Sequence, residues 1–118
     1  MKTLTTILFI ILCNTCFTQN KQDYKDVHNI CIKAVNYESY CSNGLNWLDP
    51  ERIIRSENIS PVVSICENYY DGDTIIIAWT VIECDIHVFL WVDGINILDK
   101  KITYNGKEQK GNFKYTIK

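Results

Sequence analysis

No stretch of this 118-residue chain is apolar for the roughly 20 residues that a helix needs to cross a bilayer. The apolar run from Ile7 to Leu12 is closed by Asn14 and Thr15, which excludes a transmembrane helix at that point. Arginine is nearly missing, since no arginine follows Arg52 and Arg55, and with an acidic body that scarcity excludes nucleic acid as a partner. No serine sits in a Gly-x-Ser-x-Gly elbow, so the usual hydrolase nucleophile is absent. Asp71-Gly72-Asp73 lacks the further acidic ligands and closing Glu of a calcium loop, and reads as a turn. Repeats, low-complexity segments and Gly/Ser linkers are also lacking, which leaves a single domain.

What is present begins with an export signal. Lys2, the run to Leu12 and the small or neutral residues up to Thr18 have the layout of a secretory leader over residues 1–18, with Cys16 and Thr18 at the positions signal peptidase reads before a cut at Gln19. Lipidation does not fit, because neither Cys13 nor Cys16 has the flanking residues of a lipid anchor. Residues 19–118 then form a small exported domain, secreted or periplasmic. Losing the leader reduces six cysteines to four, Cys31, Cys41, Cys66 and Cys84. In an oxidising compartment these are expected to form two disulfides, with three connectivities open. A domain this size buries only about 60–70% of its unfolded surface, so bridges contributing about 2–4 kcal/mol each explain the cysteines by stability alone. The triplet Asn58-Ile59-Ser60 is followed directly by Pro61, which makes it a poor glycosylation acceptor.

Charge is unevenly spread. Residues 19–99 hold five basic and thirteen acidic side chains, whereas residues 100–118 hold six lysines and one glutamate. An acidic body with a basic end suits a terminal hairpin whose lysines keep its edge solvated, or a strip that contacts a partner.

Three helices are expected first. Tyr24, Val27, Cys31, Ala34 and Val35 recur at three- and four-residue steps and predict a helix from Lys21 to Tyr37. Asp49-Pro50 and Ser60-Pro61 each place a capping side chain before a proline, predicting short helices over Pro50–Arg55 and Pro61–Tyr69. Beyond Thr74 the texture is β-branched and aromatic, predicting strands over Thr74–Cys84 and Ile86–Val92 with a turn near Glu83–Asp85. Asp93-Gly94 and Asn105-Gly106 predict hairpins, a parity shift predicts a bulge near Asp99-Lys100, and Phe113, Tyr115 and Ile117 alternate along a last strand. The expected fold is therefore α+β: an N-terminal helix and two short ones on one face of an antiparallel meander of about four strands, stapled by two disulfides.

The matched spacings His28-x-x-Cys31 and Cys84-x-x-His87 hold the residue types of a zinc site. Residues three apart on a strand point to opposite faces, and bridging uses up the thiols, so no metal or cofactor is expected and no Cys-His nucleophile either. Cys84 precedes Trp91 by seven residues with no later cysteine, which excludes the spacing of immunoglobulin-type domains. On Ile86–Val92, His87, Phe89 and Trp91 face away from Ile86, Val88, Leu90 and Val92, so both faces are bulky.

Trp79, His87, Phe89, Trp91, Lys100 and Lys101 are accordingly expected to form a partner-facing patch. The expected function is a non-enzymatic binding domain acting by protein contact, as an inhibitor, an immunity-type neutraliser or a factor directed at a host protein or receptor, with a homodimer through the sheet as one form of contact. The alternative is a small exported enzyme or ligand carrier, with a cavity between the first helix and Trp47, Trp79 and Trp91 and with His87 and Asp85 as its polar groups.

Overall fold

The computed structural model describes residues 26–38 and 41–118, so the expected leader at residues 1–18 lies outside the described residues. The described residues form eight strands and no helix: β1 (Val27–Asn36), β2 (Gly44–Leu48), β3 (Ile54–Asn58), β4 (Val62–Tyr70), β5 (Thr74–Val81), β6 (Ile86–Val92), β7 (Ile95–Ile102) and β8 (Gln109–Thr116). They make two antiparallel four-stranded sheets, a front sheet ordered β4-β1-β6-β7 and a back sheet ordered β3-β2-β5-β8. The α+β expectation is overturned: the fold is all-β. The expected first helix is β1, and the two short ones are replaced by the strands β3 and β4 with their connections.

The physical reason lies in two competing periods. Residues 27–36 satisfy a helical stripe, but Ile30, Ile32, Ala34 and Asn36 also alternate, and these four are the buried ones. In β4 the inward set is Val63, Ile65, Glu67 and Tyr69, again at period two, whereas a helix over Pro61–Tyr69 would have grouped Val62 and Cys66 with Ile65 and Tyr69. The β-branched residues of both segments, four of ten in β1 and three of nine in β4, favour the pleated solution once a second sheet exists to cover it. Asp49 does not cap a helix. Its Oδ1 accepts the backbone N–H groups of Glu51 and Ile53 at 3.0 and 3.2 Å, an Asx-type turn that carries the chain into β3 through Arg52 at φ 62°. Ser60-Pro61 is a cis peptide leading into β4.

The core lies between the sheets. Ile30, Ile32 and Ala34 of β1 with Ile86, Val88 and Leu90 of β6 pack against Leu45 and Trp47 of β2 and Ile75, Ile77 and Trp79 of β5. Each large apolar side chain buried in this way contributes about 1.5–3 kcal/mol. The Asp93-Gly94 turn joins β6 to β7 with positive φ at both residues, 51° and 79°, as a tight hairpin requires. Asn105-Gly106 is different: β7 and β8 belong to different sheets, so this segment crosses the sandwich and is no hairpin. The bulge falls where Leu90 opposes Leu98 and Trp91 opposes Asn96, two or three residues before its expected place.

The β5–β6 connection has neither glycine nor proline, and a buried side chain shapes it instead. Asn43, with 0% exposure, accepts the N–H groups of Ile82 and Glu83 at 2.8 and 3.2 Å and donates to the Cys84 carbonyl at 2.7 Å. Its amide also donates to Asn36 Oδ1 at 2.8 Å, while Asn36 donates to the Ile59 carbonyl. One of the three open connectivities is realised, Cys31–Cys66 and Cys41–Cys84. The first joins directly opposed residues of β1 and β4, and the second ties the β5–β6 connection to the chain before β2.

Candidate functional site

The outer face of the front sheet gathers most of the residues singled out in the sequence. With Ile86, Val88, Leu90 and Val92 turned inward, β6 must turn His87, Phe89 and Trp91 outward. The three rings stack in a row, with centroids 4.1 Å apart between His87 and Phe89 and 5.2 Å between Phe89 and Trp91. Cross-strand neighbours fix what surrounds them. On β1, Val35 lies opposite His87, Lys33 opposite Phe89 and Cys31 opposite Trp91; on β7, Lys101 lies opposite His87 and Asp99 opposite Phe89.

Polar contacts orient the row. His87 Nε2–H donates to the Asp99 carboxylate, and Nδ1 lies 2.9 Å from the Tyr37 hydroxyl. Lys101 lies over the Tyr37 ring, 5.2 Å from its centroid. The half-buried imidazole is therefore held on both nitrogens, and the aromatic row is backed by the Cys31–Cys66 bridge, which spans β1 and β4 on the same outer face. Apolar rings bordered by two lysines and one carboxylate can take up an apolar side chain of a partner and orient it by charge.

Trp79 and Lys100 lie elsewhere. Trp79 is an inward residue of β5, 4% exposed, and Lys100 crosses the rim of the sandwich to lie 5.5 Å from its ring centroid. Gly111 of β8 sits against the same indole, where a Cβ would come within 2.6 Å of it. With Lys101 and Lys110 these residues line a basic cleft of about 300 Å³ at the β7–β8 edge. The β3–β4 edge carries its counterpart, an acidic cleft of about 300 Å³ lined by Asp49, Glu51, Glu67 and Asp73 with Arg55 among them. Arg55 forms ion pairs with Glu67 and, at 3.6 Å, with Asp49. Tyr69 donates to Glu67 at 2.9 Å, and burial pushes its phenol above the ordinary range.

The four residues of the metal-like spacings stand apart. Cys31 and Cys84 are each bridged to another cysteine, and His87 is engaged as above. His28 enters the mouth of the sandwich and contacts Asp71 through Nε2 and Asp93 through Nδ1, the latter at 2.6 Å. Hydrogen bonding to Asp93 and then Asp71 raises its pKa, and the same bond with His28 lowers that of Asp93. Glu38, Cys41 and Cys84 place three donor atoms within 4.8 Å of one another, but both sulfurs are spent in the bridge. The cavity expected between a helix and the sheet has no helix to form it among the described residues. Asp85, named for that cavity, accepts the backbone N–H of Tyr104 at 2.7 Å.

Sequence reasoning missed Tyr37, Lys33 and Asp99 as parts of the outer face. The period-two pattern of residues 27–36 was the signal that would have placed Lys33 beside Phe89.

No protein-family model matches the chain, and no curated protein does. Among solved structures it is similar to a DUF4425 domain of unknown function from Bacteroides vulgatus, at 14% identity and a TM-score of 0.51, covering 80% of this chain and 96% of that one. A DUF4425 family protein from Bacteroides ovatus is similar at 12% identity and a TM-score of 0.53, covering 78% of this chain and 95% of that one. At such identities the likeness concerns the fold alone. The two disulfides, with no helix among the described residues long and apolar enough to cross a membrane, are consistent with an extracytoplasmic protein.

Proposed function

We propose that this chain is a secreted or periplasmic binding domain that works by protein contact through the outer face of the front sheet, as an inhibitor, a neutraliser or a factor directed at a host protein or receptor. The stacked row of His87, Phe89 and Trp91 is the observation that carries this reading. A central strand needs only one apolar face to build a sandwich, and β6 already supplies it with Ile86, Val88, Leu90 and Val92. Three further rings on the opposite face add nothing to that core, whereas aromatic residues framed by charge commonly carry interface energy.

The back sheet supports the choice by contrast. Its outer face carries an aliphatic patch of Leu48, Ile54, Ile76 and Ala78 beside Thr74, Thr80, Asn112 and Lys114, and among the described residues it shows no row of stacked rings. Immobilised protein incubated with an extracellular or periplasmic extract tests the proposal, with the double variant Phe89→Ser/Trp91→Ser alongside. A partner retained by the parent and lost from the folded variant supports it. Retention that is equal in both, or none by a folded parent, contradicts it.

A further inference from the structure

We propose that copies of this chain also join head to tail, the β3–β4 edge of one copy pairing with the β7–β8 edge of the next. This goes beyond the proposed function and uses different surfaces. Every strand pair in both sheets is antiparallel, so the first and last strands of each four-stranded sheet run in opposite directions. A copy shifted sideways therefore offers β7 to β4 as an antiparallel neighbour, and the same shift offers β8 to β3. Both sheets continue at once.

Edge chemistry makes the contact attractive. Natural edges are blunted by lysine, proline or a bulge, and β7 has both Lys100–Lys101 and the bulge, whereas β4 runs for nine residues with Glu67 as its one charge and no proline. Val62 and Tyr70, near its two ends, are 46% and 51% exposed, and Ile95 at the start of β7 is 66% exposed. Among the described residues β4 pairs only with β1 and β7 only with β6, so each has one row of backbone N–H and C=O groups facing outward.

Charge selects this arrangement over a two-fold dimer. Pairing β4 with β4 would bring one acidic cleft against another, and pairing β7 with β7 would oppose Lys100, Lys101 and Lys110 to themselves. Head-to-tail contact sets Glu51, Glu67 and Asp73 against those lysines. A heterologous contact of this kind does not stop at two copies but grows into rings or open chains.

Sedimentation velocity over a hundredfold range of concentration tests the proposal, at low salt and again near roughly 0.5 M salt, where surface charges are screened. The expected result is a mass that rises past two copies with concentration at low salt and falls back at high salt. Two variants give the decisive arm: Glu51→Lys/Glu57→Lys/Glu67→Lys, which changes Glu57 on β3 together with two residues of the cleft and leaves only Asp49 and Asp73 acidic there, makes both edges basic, and Lys100→Glu/Lys110→Glu makes both acidic. With circular dichroism confirming that each is folded, each alone should sediment as a monomer, and an equimolar mixture should regain the larger mass. A parent that stays monomeric at low salt, a parent that stops at a dimer, or a mixture that does not recover would each overturn the proposal.

Discussion

At one end of the sandwich Asn43 and Asn36 close the strands through uncharged hydrogen bonds beside the Cys41–Cys84 bridge, whereas at the other end closure runs through His28 and the carboxylates of Asp71, Asp93 and Asp49. Both ends solve the same problem, the satisfaction of turn backbone where the ladders stop. The uncharged end does it in the dry interior, where a missing partner is costly. The charged end does it partly at the rim, through His28, Asp71 and Asp93, where water competes and protonation matters, and partly through Asp49, which is 5% exposed. Stability should therefore depend on the first end at every pH and on the rim groups of the second only within a window.

Breaking the uncharged end should have the largest effect. Asn43→Ala removes the acceptor of Ile82 and Glu83 and the donor to Cys84, and is expected to cost about 2–4 kcal/mol in denaturant unfolding, with no dependence on pH. A loss under about 1 kcal/mol would show that water replaces the amide and that the two ends are alike.

Asp49 separates hydrogen bonding from charge at the opposite end. Asp49→Ala strips the N–H groups of Glu51 and Ile53 of their buried acceptor and should cost about 1–3 kcal/mol. Asp49→Asn keeps an acceptor oxygen and loses only the attraction to Arg55, so it should recover most of that stability. Equal losses in the two variants would assign the role of Asp49 to its charge.

His28 gives the smallest effect and the clearest signature. Its raised pKa means that its contribution is complete below the unfolded value of 6.5 and is lost as pH rises through the higher folded value. The lowered pKa of Asp93 means that its contribution is present above 3.8 and is lost as pH falls through the folded value. The difference in melting temperature between the parent and His28→Gln should thus be greatest between these limits and shrink on the alkaline side. A difference that grows with pH would reverse the sign and remove the clamp from the comparison.

The same contrast explains what could be read from the residues alone. Strands β5 and β6 were legible because Ile75, Ile77 and Trp79, and then Ile86, Val88 and Leu90, alternate without a competing helical pattern, and the Asp93-Gly94 turn was legible because its φ values demand those residue types. The Asn43-shaped connection could be placed near Glu83–Asp85 only from strand length, since the residue that builds it lies some forty positions away. β1 and β4 were misread because their apolar residues satisfy two periods, and only the partner sheet selects between them. On the candidate face, His87, Phe89 and Trp91 followed from alternation along one strand. Trp79 and Lys100 were grouped with them because a single sheet was assumed, and two sheets set Trp79 inside and Lys100 at the rim.

With the ends holding the strands, the face between them is where the proposed contact lies. The most direct measurement compares retention of a partner from an extracellular or periplasmic extract by the parent, by Phe89→Ser/Trp91→Ser on the front sheet, and by Ile76→Ser on the back sheet, all shown to be folded by circular dichroism. Binding through the front sheet predicts one partner retained by the parent and by the back-sheet variant and lost from the front-sheet variant. Retention that survives the loss of Phe89 and Trp91, or that fails with Ile76 alone, would contradict it.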